Sequence, residues 1–261
     1  MIKYLFKRIF YLFFPPIFTR IFLKKGNEFK KRIIRKVSEN EKIDFIKYNK
    51  NNAFEIDRNK LRYFGGLKFN REDHPFLKYL LGNENEMLDF YSNHKPKNIF
   101  ECHKLNAKNT FIDSNFFIEP SSCLPWLHDT TDTLAQVEGN LDISDGRQQF
   151  GPISKKKLNL EINRLSKVKI SVEKKGFIPE KFEGYPRGYF MQNNSGQWIF
   201  NIVGGSHRVA ALISLNYDYI PVILQPDYTD VILENDIDQW PKIKDNKMSK
   251  SDAIKIFLSY F

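Results

Sequence analysis

Residues 199–224, IFNIVGGSHRVAALISLNYDYIPVIL, change their periodicity twice and thereby set the fold. The run up to Val203 is aromatic and β-branched, as a buried strand requires, and Gly204-Gly205 break it. Val209 to Leu215 then supply good helix formers, and YIPVIL at 219–224 returns to a strand pattern. Strand, glycine turn, helix and strand in that order predict a compact α/β layout with a mixed sheet; the pattern leaves the strand directions open. Working backwards, 187–192 and 197–203 flank Asn193-Asn194-Ser195-Gly196, a four-residue loop that predicts a hairpin. Further upstream Ser154 is an N-cap, and Leu158, Ile162, Leu165, Val168 and Val172 form one apolar stripe. They predict a helix over 155–175 closed by Gly176.

The glycine turn carries the most chemistry. Gly204 and Gly205 permit a tight strand-to-helix turn, at whose end the first backbone N–H groups of the next helix have no intrahelical partner. His207 and Arg208 fall in that first helical turn, so amides, helix dipole, guanidinium and imidazole converge on a place suited to an anion. Ser206 is placed either to cap the helix or to bind a phosphate oxygen. The same residues also suit a purely structural turn, in which Ser206 caps and Arg208 pairs with a core carboxylate. Neither GxxxxGK[ST] nor GxGxxG is present.

Residues 199–224 resemble the second signature segment of the ParB/sulfiredoxin-like superfamily, where a strand leads through a glycine turn to His-Arg or Arg-Arg, an alanine-rich helix and a strand near IPV. The helix at 155–175 with Lys174-Lys175-Gly176-Phe177-Ile178-Pro179 resembles the preceding family segment, and the likeness covers roughly residues 134–227. The resemblance implies that Gly204, Gly205, Ser206, His207 and Arg208 bind nucleotide phosphates, with ATP, ADP or CTP and Mg²⁺ as the expected ligands. Arg187 in YPRGYF is a second candidate anion contact. Sulfiredoxins carry a catalytic cysteine where this chain has Ser206, which disfavours their sulfur chemistry. Chromosome-partitioning members add DNA-binding and dimerisation domains, for which the 34 residues after Asp227 are too few. Some relatives phosphorylate a small molecule using a glutamate as base; Glu138 and Glu161 are the candidates here, although Glu161 also suits exposed pairing with Lys157 or Arg164. The resemblance thus implies a nucleotide- or phosphoryl-ligand-binding protein, with a small-molecule kinase or nucleotide hydrolase as its catalytic form. A non-enzymatic regulator or scaffold, or a nucleic-acid-binding protein, are the alternatives.

Charge separates the amino-terminal segment from everything else. Of 41 Lys and Arg residues, eleven lie in residues 1–37 beside a single acid, Glu28, so this stretch alone carries +10. The remainder is neutral as a block, which argues against a uniformly basic nucleic-acid-binding body. MIKYLFKRIFYLFFPPIFTRIFL is interrupted by Pro15-Pro16, and its longest uncharged run is too short for a spanning helix. As a helix, residues 2–14 would show a broad apolar face edged by Lys3, Lys7 and Arg8, followed by a polybasic run over 24–36. This predicts a helical extension on an anionic membrane surface, in a cytoplasmic and membrane-peripheral protein. Packing of this helix on the body or on a partner is the alternative.

The chain therefore divides into a basic segment (1–37), a mixed region of open role (38–130), the α/β domain (131–230) and a helical tail (231–261). Within the mixed region helices are expected near 38–48 and 75–92, and a turn at Gly65-Gly66. In the tail Trp240-Pro241 anchors a turn, and Ser249 or Ser251 caps a last helix; this tail resembles those of family relatives that accompany surface-polysaccharide synthesis genes. The two cysteines, Cys102 and Cys123, are too few for a dense disulfide scaffold. His128, Asp129 and Asp132 lack a third ligand at metal-binding spacing, so no metal site is assigned.

Overall fold

The computed structural model describes residues 32–43, 52–106, 116–117, 119–128, 141–181, 184–226 and 229–261. The chain divides into two units, residues 1–32 and residues 33–261. Among the described residues seven strands form one sheet: β1 (Ile33–Lys36), β2 (Asn52–Asp57), β3 (Leu61–Arg62), β4 (Arg187–Gln192), β5 (Trp198–Gly204), β6 (Tyr219–Leu224) and β7 (Val231–Leu233). The α-helices of the described residues are α1 (Pro75–Leu81), α2 (Glu84–Asn93), α3 (Ile99–Cys102), α4 (Lys155–Lys175), α5 (Ser206–Ser214), α6 (Pro241–Lys244) and α7 (Lys250–Leu258).

The sheet order is β1-β2-β6-β4-β5-β3, with β7 also beside β4. The expected α/β class with a mixed sheet is present: β4 runs antiparallel to β5 and parallel to β6. β5, α5 and β6 follow one another in sequence, yet β4 lies between the two strands. β5 takes one edge of β4, and the other is shared in tandem, by β6 at Arg187 and Gly188 and by β7 at Phe190–Gln192. From Gly188 to Gln192 and from Trp198 to Ile202 every residue is buried, so the central strands are covered on both faces. Phe190 packs edge-on to Phe54, Trp198 and Phe200 on one face. On the other, Tyr189 Oη accepts from Trp126 Nε1, and Trp126 meets Trp240, Phe257 and Tyr260, which brings the C-terminal helix onto that face.

The region of open role proves to be part of the same body. β2 pairs with β6 and β3 with β5, while β1, inside the basic segment drawn over 1–37, pairs in parallel with β2. Expected helix 75–92 is two helices. Gly82 leaves the helical region, and Asn83 restarts it by accepting from the Glu86 N–H. Residues 38–43 are not an α-helix, and 44–48 lie outside the described residues. The 155–175 helix forms with Ser154 as N-cap and Gly176 as C-cap, and Ser249 caps α7. Neither cysteine forms a disulfide. Among the described residues no helix is long and apolar enough to cross a membrane. The expected amino-terminal helix at 2–14 lies outside them.

Candidate functional site

Gly204 ends β5 opposite Arg187 of β4, where the pairing register shifts between Arg187 and Gly188. A Cβ on Gly204 would sit 3.4 Å from Arg187 Nε and Nη2, so the exposed guanidinium lies against the turn. Gly205 is the N-cap of α5 with φ +83°, in the left-handed region, and a Cβ there would meet Pro186 Cα and Arg208 Nη1 at 3.0 Å. Ser206 is therefore not the cap foreseen as one of its roles. It is the first helical residue, and it is buried. His207 and Arg208 occupy the first turn as expected. Arg208 Nη1 donates to the carbonyls of Tyr185 at 2.9 Å and Gly184 at 3.2 Å, which ties the approach to β4 onto α5.

The amino end of α5 meets α4 and α1. Glu161, on α4, is wholly buried, which corrects the expectation of an exposed pairing; its partners are nonetheless those the helical spacing names. Lys157 Nζ lies 2.8 Å from Glu161 Oε1, and Arg164 Nη1 lies 3.6 Å from the same oxygen. His207 Nε2 donates to the other oxygen, Oε2. Burial pushes the Glu161 carboxyl up, but the hydrogen bond and charge of His207 and the charge of Lys157 prevail and hold it below the usual carboxylate range. Both carboxylate oxygens of Glu161 are thus engaged by protein groups, Oε1 by Lys157 and Arg164 and Oε2 by His207.

Phe76 of α1 stacks on the His207 ring at 4.4 Å between centroids, and fixes its plane. His74, which caps α1 by accepting from the Phe76 N–H at Nδ1, is buried beside it. Burial, reinforced by His207, lowers the His74 pKa to about 3, so this imidazole is neutral. His207 retains one free position: Nδ1 has no hydrogen-bond partner among the described residues, and the side chain is 15 % exposed.

The structure thus gathers Arg187, Gly204, Gly205, Ser206, His207, Arg208 and Glu161 at one end of α5. Glu138, Asp129 and Asp132 lie outside the described residues, and His128 is exposed. Among the described residues no group of three His, Cys, Asp or Glu side chains is placed to hold a metal ion. Mg²⁺ carried on a nucleotide takes most of its ligands from phosphate and water, and so needs no such cluster. Phe76, His74 and the buried state of Lys157 were missed by sequence reasoning. The i, i+4 spacing of Lys157 and Glu161 signalled their pairing, but nothing local signalled that α1 would cover them. Comparison with family models, curated proteins and solved structures finds no match to this chain.

Proposed function

We propose that the chain is a divergent ParB/sulfiredoxin-like protein that binds a nucleotide or another phosphoryl ligand at the 204–208 turn. The supporting observation is Arg187: an exposed guanidinium, without an ion-pair partner among the described residues, held against Gly204 at the amino end of α5. A guanidinium fork beside helix-terminal amides matches the geometry and charge of a phosphate. The two glycines let Arg187 and Arg208 lie close against the turn, and Arg208 fixes the loop that carries Arg187 by holding the carbonyls of Gly184 and Tyr185. Mg²⁺ would accompany the nucleotide.

Calorimetry on the full chain with ATP, ADP, CTP and GTP, with and without Mg²⁺, tests this reading. Arg187→Ala is expected to weaken binding roughly 10- to 100-fold, as loss of a charge-assisted hydrogen bond would. Lys174→Ala, at the far end of α4, is expected to leave it unchanged. Absence of binding to all four nucleotides by the folded protein would sink the nucleotide form of the proposal.

A further inference from the structure

The carboxylate–imidazole pair of Glu161 and His207 has the arrangement of a proton-transfer device, and the phosphate contacts alone make no use of it. Glu161 is wholly buried and accepts from Nε2, so a neutral His207 carries its proton there and presents the lone pair of Nδ1. Stacking on Phe76 fixes the ring plane. Nδ1 has no partner among the described residues, and the residue stands two positions from the Gly205 cap, in the turn where the phosphoryl group is proposed to bind. A histidine whose only task was to join α5 to α4 would need neither a free second nitrogen nor partial exposure.

We propose that His207 is the general base of a nucleotide hydrolase, with Glu161 as its positioning residue. The inference rests on the phosphoryl-ligand reading above. A water molecule loses a proton to His207 Nδ1 as its oxygen attacks the terminal phosphorus. The new P–O bond forms while the bond from phosphorus to the bridging oxygen breaks, and the electron pair leaves on the nucleoside diphosphate. The imidazolium, stabilised by the Glu161 carboxylate, then returns its proton to bulk water. Water is the acceptor that needs no second binding site. Among the described residues, the charged and titratable groups around the ring are Glu161 on α4, with Lys157 and Arg164 behind it, and His74 on α1; the adjacent Arg208 is turned to the Gly184 and Tyr185 carbonyls.

The test measures phosphate release and nucleotide binding side by side on the full chain, using ATP, CTP and GTP with Mg²⁺. His207→Gln is expected to lower turnover by about 10²- to 10⁴-fold, the usual contribution of a general base, while binding changes far less. Glu161→Gln is expected to lower turnover less and to alter its pH profile. In the wild type, ¹⁵N NMR of the imidazoles should show His207 as the Nε2–H tautomer when neutral. Glu161→Gln should mix the two tautomers and lower kcat with little change in KM, whereas loss of a merely structural contact would leave kcat unchanged in the folded protein. Should Glu161→Gln fail to fold, Glu161→Asp and the His207→Gln kinetics still decide the matter. Binding without phosphate release from any of the three nucleotides overturns this inference and leaves the binding proposal standing. Equal turnover in His207→Gln overturns it as well, and absence of binding removes both.

Discussion

Gly205 holds its backbone where an L side chain is strained, and the space beside it is already taken by Pro186 and Arg208. Gly205→Ala is therefore expected to destabilise the fold by about 1–2 kcal/mol from the left-handed dihedral alone, with the 3.0 Å contacts adding to it. Urea denaturation compared with the wild type checks this. A loss within a few tenths of a kcal/mol would show that the turn relaxes freely. At this scale the glycine pair, His207 and Arg208 were readable from sequence, because a strand pattern that stops at two glycines leaves few alternatives. Glu161 was readable as a partner of Lys157 but not as a buried one. Its burial comes from α1 and α5, one some 80 residues earlier and the other some 45 later, and helical periodicity on α4 carries no record of either.

α4, α5 and the β4–β5 hairpin were legible for a common reason: each is defined by its own caps, loop and periodic stripe. β1, β2 and β3 were not. β2 reads NAFEID, with polar and helix-compatible residues, and becomes a strand because β6 lies alongside it across more than 160 residues of chain. Gly82 likewise divides α1 from α2 where side-chain periodicity continues; a Cβ there would lie 2.5 Å from the Lys78 carbonyl oxygen. The buried histidines add a pH dependence at this level. His74 caps α1, and His103, following α3, meets Ser259 Oγ at 2.7 Å; burial lowers both pKa values from 6.5 to about 3. Between those values the unfolded chain binds protons that the native state does not, so stability is present above pH 6.5 and falls as the pH drops towards 3. Each histidine contributes up to about 1.4 kcal/mol per pH unit across that window. Denaturation midpoints at pH 7, 6 and 5 should fall progressively, and His103→Asn should make the decline shallower. A flat profile would mean that neither imidazole is kept neutral by the fold.

For the whole molecule, the sharpest division in the sequence is one of charge, with +10 in residues 1–37 and a neutral remainder. We expect the full chain to sediment with vesicles containing phosphatidylserine and to be released as salt is raised, because a polybasic segment gains about 1 kcal/mol per basic residue near such a surface. Removing residues 1–31 should abolish the association, and equal binding to neutral vesicles would refute the electrostatic part. The truncation has to stop short of Ile33, since Ile33–Lys36 pair with β2 from Asn52 to Glu55. That pairing also fixes where tension enters the protein. Any tether holding residues 1–31 pulls first on β1, a four-residue strand at the sheet margin. A pull along the strand loads its pairs with β2 together, whereas a pull across the sheet opens them one after another. Under such a load β1 is the first strand to yield, while β2 keeps its own pairing with β6 and shields the 204–208 turn from the strain.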